Sequence, residues 1–204
     1  MNQNQDWALS QESRWPVLRT AARALRFSPP TLVGTVVIDG ILREDDRGYF
    51  SRSWCIREFA EQGIDFMPVQ ASTSFNRRKG TLRGMHLQVK PALEAKLVHC
   101  TKGSLYDVVL DVRPDSPSYG RWCGIELRSD KYQMLYIPEG CAHGYVTLED
   151  NTEIFYMMSQ YYTPGAYRGV RYDDPAFGIA WPIVPTTVSE QDRNWPLVTD
   201  RTIP

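Results

Sequence analysis

The sequence predicts an all-β fold, a jelly-roll-like antiparallel sandwich with short peripheral helices. Three observations predict it. From Thr31 onward, short runs rich in β-branched and aromatic residues follow one another. Turn signals break them at Lys79-Gly80, Lys102-Gly103, Pro114–Ser118, Ser129-Asp130 and Glu139-Gly140. Only one helical stretch interrupts the run, too little for the crossovers of a parallel sheet.

Taken in order, residues 1–30 read as a partly helical N-terminal appendage, with a short amphipathic helix after Pro16 that Ser28-Pro29-Pro30 ends. The run TLVGTVVIDGIL from Thr31 reads as strand, and Asp45-Asp46-Arg47-Gly48 as a turn. A helix is predicted at Cys55–Gln62, stopped by Gly63. Beyond it come the strand-like runs MPVQASTSF, TLRGMHLQV, KLVHCT, SLYDVVLDV, WCGIELR, QMLYIP, GYVTL and TEIFYMMSQYY. The tail from Asp173 is Pro-rich and is expected to drape over the sandwich. Residues 31–204 thus form one jelly-roll domain with a C-terminal tail.

Composition narrows the function. In 204 residues, 42% are hydrophobic and 23% charged, which excludes a disordered chain. Lys plus Arg total 23 against 24 Asp plus Glu, so no bulk field draws nucleic acid or an anionic membrane. Apolar runs such as Thr31–Ile38 are far too short to span a bilayer. The N-terminus MNQNQDWALSQ lacks the basic start and apolar stretch of a secretory signal, and a cytoplasmic location is expected. Cys55, Cys100, Cys123 and Cys141 stand singly and read as reduced thiols.

No phosphate loop, nucleophile elbow or H-E-x-x-H helix is present. Polar residues embedded in strand patterns stand out instead: Arg83, His86 and Gln88 in LRGMHLQ, Lys96 in KLVHC, Asp107 in YDVVLDV, His143 after PEGCA and Tyr156 in TEIFY. Residues two apart share a strand face, so Arg83 and His86 fall on opposite faces unless a bulge intervenes. A bulge at Gly84 would bring both toward one cavity. Such a cavity would be cationic and capable of proton transfer, suited to an anionic substrate. A metal site is the contrasting expectation, but Gln88 stands where a second closely spaced His would be needed. Only a two-His site with Glu94, drawing on His99, offers one.

The words LRGMHLQ, EAKLVHCTKGSLYDVVLDVRPDSPSYG, LYIPEGCAHGYVTLED and RYDDPAFGIAWP, collinear from Gly34 to Trp195, resemble the dTDP-4-dehydrorhamnose 3,5-epimerase family. These are metal-independent jelly-roll (cupin-like) enzymes of deoxysugar biosynthesis. The resemblance implies inversion at C3, C5 or both of a nucleotide-linked 4-keto sugar through an enolate, with no cofactor. On matching motifs, it implies His86 as base, Asp174 as the carboxylate orienting it, and Tyr156 as acid across the ring. Lys96 and His143 would line the sugar and its keto oxygen, Arg83 would bind the diphosphate, and Gln70 and Gln88 would complete substrate binding. Asp107 would orient a neighbouring cationic group. Arg47 and Phe50 in DDRGYF match a segment that reaches a neighbouring subunit's nucleotide site, implying a homodimer with exchanged N-terminal strands. The sequence departs from the family near the base: Arg52 stands where a glutamate is common, and Gln70-Ala71-Ser72 replaces Q-x-N. The nucleotide is therefore open among dTDP, GDP, CDP and UDP. A keto-isomerase of the same fold, a non-catalytic sugar-nucleotide-binding protein and a metal-dependent cupin are the alternatives.

Overall fold

The computed structural model describes residues 23–29, 32 and 34–199. Among the described residues fourteen strands are formed: β1 (Leu25–Ser28), β2 (Val36–Gly40), β3 (Arg43–Asp45), β4 (Gly48–Phe50), β5 (Gln70–Asn76), β6 (Thr81–Gln88), β7 (Lys96–Lys102), β8 (Ser104–Asp111), β9 (Trp122–Arg128), β10 (Gln133–Ile137), β11 (Cys141–Thr147), β12 (Thr152–Met158), β13 (Tyr167–Gly169) and β14 (Thr187–Val188). Two short helices, α1 (Ile56–Ala60) and α2 (Glu190–Arg193), accompany them. One sheet has the order β1-β2-β10-β7-β12-β5 and the other β13-β6-β11-β8-β9, with β14 alongside β6 and β3-β4 as a separate hairpin. Apart from the parallel β14–β6 pair, the pairings are antiparallel. This is the predicted jelly-roll-like sandwich.

Strand parity sorts the side chains into three layers. Between the sheets lie Val98, Cys100, Leu105, Val109, Leu127, Leu135, Ile137, Cys141, Tyr145 and Ile154. The alternate residues of β8 and β11, Val108, Leu110 and Ala142, pack outward against Phe177, Ile179 and Trp181 of the tail. Tail cover explains why SLYDVVLD reads as a continuous apolar run: its strand is buried on both faces. On the outer face of the first sheet, Phe59 and Phe66 cover Leu25, Ile38, Leu97 and Met134.

Two sequence expectations change here. Leu25–Ser28, expected to finish a helix, is instead strand β1, registered against Val37–Gly40 of β2. Leu25 fills a fully buried slot in the outer core, and pairing with β2 outweighs a weak helical preference. The remainder of the expected N-terminal helix lies outside the described residues. The second helix exists but is trimmed to Ile56–Ala60, with Gly63 at φ +72° closing the turn behind it. Its Glu58 accepts hydrogen bonds from the backbone N–H groups of Ala24 and Leu25 at 3.1 and 2.9 Å and from Arg52 at 2.7 Å. Arg52, the cation found where a base-reading glutamate was expected, is thus spent on clamping α1 to β1.

The feature that shapes the site is an irregularity between β6 and β11. His143 pairs with His86, yet Tyr145 pairs with Arg83, so β6 carries one extra residue across this interval. Gly84 sits in it at φ +141°, and a Cβ there would lie 2.4 Å from the Gly144 Cα. Gly144 is equally confined: a Cβ would meet Met85 Sδ at 2.8 Å and Arg83 O at 2.9 Å. We expect Gly144→Ala to cost about 1–3 kcal/mol in denaturant unfolding, since backbone must move to admit the methyl group. An unfolding midpoint equal to the wild type's would contradict this packing.

Candidate active site

The bulge turns Arg83 and His86 into the same cavity, the arrangement a bulge at Gly84 was expected to allow. The cavity has a volume of about 710 Å³ and lies between the sheets. One wall is built from β6, β11 and β13 with α2; the other comes from β5, β7 and β12. Inward parity on β12 delivers Tyr156 and on β7 delivers Lys96, while β11 delivers His143 beside His86.

His86 Nε2 lies 2.6 Å from Asp192 Oδ1. Asp192 also accepts the Gly84 N–H at 3.4 Å, and its own N–H donates to Ser189 Oγ, the N-cap of α2, at 3.0 Å. Burial would raise the Asp192 carboxyl, but hydrogen bonding and charge from His86 outweigh it, holding the group below the usual carboxylate range. The carboxylate is therefore ionised where an imidazolium would form. This corrects the expectation for Asp174. Its Oδ1 accepts the Ala176 N–H at 2.9 Å and its Oδ2 the Val198 N–H at 2.8 Å, which closes a turn of the tail. Asp192 carried one sequence signal, the S-x-x-D capping pattern of Ser189–Asp192, which marks a helix start. No local pattern says that this start meets β6.

A second imidazole–carboxylate pair sits alongside. His143 Nε2 lies 2.7 Å from Asp107 Oδ1, and both side chains are buried. The Asp107 Oδ2 has no hydrogen-bond partner among the described residues. Facing them, Lys96 Nζ is 3.0 Å from Glu94 Oε1. Arg83 donates from Nε to Asn76 Oδ1 at 2.9 Å, which leaves its terminal guanidinium edge toward the cavity. Asn76 in turn meets the Tyr145 hydroxyl at 3.3 Å. Gln70 lines the cavity and accepts the Tyr162 N–H at 2.8 Å.

Three expected ligand-binding residues do not reach this cavity within their own chain. Gln88 is buried; its amide donates to Glu94 and to Tyr161 O, both at 3.2 Å, and accepts the Thr163 N–H at 2.6 Å. With donors and acceptor all occupied, it fixes the Glu94 carboxylate rather than substrate. Arg47 and Phe50 stand on the β3-β4 hairpin, Arg47 bound to Asp45 at 2.5 Å and Phe50 62% exposed. His99 falls on the opposite face of its strand from Lys96, and its Nε2 has no partner among the described residues. No group of three or more His, Cys, Asp or Glu side chains among the described residues is arranged to hold a metal ion. The sequence reading passed over Tyr162 and Tyr167, which also line the cavity.

A cavity with two imidazole–carboxylate pairs, four tyrosines and two further cations can bind an anion and move protons. Comparison with known proteins agrees in kind. A family model described as dTDP-4-dehydrorhamnose 3,5-epimerase matches residues 30–200. A dTDP-4-dehydrorhamnose 3,5-epimerase of Sinorhizobium fredii is 42% identical over 153 residues, 74% of this chain and 78% of that protein. One from Methanothermobacter thermautotrophicus is 37% identical over 83% of this chain and 92% of its own length. Among solved structures, the Bacillus anthracis dTDP-4-dehydrorhamnose 3,5-epimerase with TDP and PPi bound has a TM-score of 0.83 at 32% identity, covering 86% of this chain and 100% of that one. The Legionella pneumophila enzyme in complex with dTDP-4-keto-L-rhamnose has a TM-score of 0.80 at 30% identity, covering 85% and 92%. Since the match spans nearly all of the described chain and the site, it belongs to the dTDP-4-dehydrorhamnose 3,5-epimerase family, isomerases that act on sugar nucleotides.

Proposed function

We propose that this chain epimerises a dTDP-linked 4-keto-6-deoxyhexose at C3, C5 or both, with His86 as base and Tyr156 as acid. The observation that carries this reading is the placement of the His86–Asp192 pair on one cavity wall and Tyr156 with Lys96 on the other. The 4-keto group acidifies the hydrogens on the adjacent carbons. His86 removes one as a proton, and the imidazolium is held by ionised Asp192. The electron pair moves onto the keto oxygen, and the resulting enolate is stabilised by the Lys96 ammonium and by His143. Tyr156 then donates its phenolic proton to the carbon from the other face, inverting it. Proton exchange with solvent resets both groups.

Arg83 suits the diphosphate, because its planar guanidinium presents paired donors to phosphate oxygens. The dTDP assignment is supported by the family and by relatives crystallised with TDP or a dTDP-sugar. It is compatible with Arg52, whose charge is committed to Glu58. The number of inverted centres is a separate matter, since one structural relative is a 3'-monoepimerase from Streptomyces bikiniensis (TM-score 0.77, 30% identical, covering 83% of this chain and 86% of its own). We further propose a homodimer with exchanged N-terminal strands. Exposed Tyr49 and Phe50 on the hairpin, with Arg47, support a role in a neighbouring subunit's nucleotide site. Four free cysteines fit a reducing, cytoplasmic setting.

His86→Ala is expected to abolish deuterium uptake from D2O into dTDP-4-keto-6-deoxyglucose while leaving dTDP affinity within about two-fold, as for a group acting in the chemistry. Retained uptake would remove His86 from the base role. Asp192→Asn should lower kcat by about 100-fold or more without unfolding the protein, because the imidazolium loses its counter-charge. Asp174→Asn should instead lower the melting temperature and spare kcat; the reverse pattern would restore Asp174 as the orienting carboxylate. Tyr156→Phe should slow inversion more than proton removal, measured as product formed per deuterium incorporated. Equal loss of both would show that the far-side proton comes from elsewhere.

A further inference from the structure

The wall that carries His86 also carries Tyr167. Tyr167 on β13 stands opposite Gln88 of β6, on the strand face that Gln88 shares with His86. The position opposite His86 is Gly169, and the space a side chain there would fill is taken by Trp195: a Cβ on Gly169 would lie 2.1 Å from the indole. Tyr167 is consequently held on three sides. Its ring centroid lies 5.3 Å from His86, 5.7 Å from Tyr162 and 6.1 Å from Trp195. The ring is packed on three sides, lines the cavity, and its hydroxyl makes no hydrogen bond among the described residues.

A fixed hydroxyl that the protein leaves unpaired is a donor held for a ligand. Burial first, then the carboxylates of Asp192 and Glu94 and the neighbouring phenols, push the Tyr167 phenol above its ordinary value, so it stays protonated. Tyr167 stands beside the base, whereas Tyr156 comes from the opposite sheet. Epimerisation at two centres requires the sugar ring to present first one C–H and then the other to a single imidazole. A donor anchored next to that imidazole grips a ring oxygen and favours one presentation over the other.

We infer that Tyr167 is a specificity-determining residue, hydrogen-bonding the sugar on the base side and biasing which ring carbon faces His86. The inference rests on His86 being the base. The test is deuterium uptake from D2O into dTDP-4-keto-6-deoxyglucose, read by NMR at C3 and C5 separately, for wild type, Tyr167→Phe and His86→Ala. Removing only the hydroxyl breaks no protein hydrogen bond, so Tyr167→Phe should melt with the wild type. It should change the share of label at the less-labelled carbon by about five-fold, the worth of one hydrogen bond, with dTDP affinity within about two-fold. An unchanged distribution overturns the inference, whatever happens to the overall rate. A five-fold fall in dTDP affinity also overturns it, by assigning the hydroxyl to the nucleotide. Persistent label in His86→Ala, or none in the wild type, strikes the underlying assignment of the base instead.

Discussion

The close approach of β6 and β11 at Gly84 and Gly144 governs everything the cavity contains. A regular strand would send Arg83 and His86 to opposite faces, one into the sandwich and one under the tail. The extra residue between them lets the Arg83 guanidinium and the His86 imidazole share one side, with His143 registered opposite His86. Two glycines make the bulge sterically feasible, because a Cβ on either would strike the other's backbone. A chemical requirement is met here by removing side chains, and the two residues that permit it contribute no functional group.

The tail does two jobs. Its aromatic residues cover the outer face of the second sheet, which lets Val108 and Leu110 of β8 be apolar on the side away from the sandwich. Further on, it adds β14 to the edge of β6 and starts α2, whose first turn brings Asp192 to His86. The carboxylate is held by a backbone donor and by the cap that fixes its own N–H, so its position follows from the fold of the tail. Trp195 then fills the space over Gly169 and sets the Tyr167 ring. The wall that carries His86 is thus finished by residues far along the chain from β6.

The titratable groups of the cavity are arranged in hydrogen-bonded pairs. His86 faces Asp192, His143 faces Asp107, and Lys96 faces Glu94, each within 3.0 Å. Buried charges without partners would cost several kcal/mol each. Pairing gives each of these buried groups a polar partner, and Arg83 is left with its terminal nitrogens toward the cavity. The same economy explains the misplaced expectations. Gln88 is consumed in fixing Glu94, Arg52 in fixing Glu58, and Asp174 in closing a turn; each has a chemistry that could serve a ligand, but a nearer protein partner takes it.

By itself, the sequence determined the sandwich, through the succession of β-branched runs and turn signals, and it located most of the cavity on β6, β7, β11 and β12. It also marked Gly84 as the place where a bulge would bring Arg83 and His86 to a common side, which strand parity otherwise forbids. The strand at Leu25–Ser28 was not legible, since four residues with mixed propensity are assigned by the neighbour they pair with. Nor was the partner of His86: Asp174 and Asp192 lie in the same tail, and either could have turned inward. Only the tertiary structure decided between them, and it brought Tyr167 beside the imidazole through Gly169 and Trp195. Local pattern encodes which face a side chain takes within its own strand; which distant segment arrives opposite that face depends on how the whole chain packs.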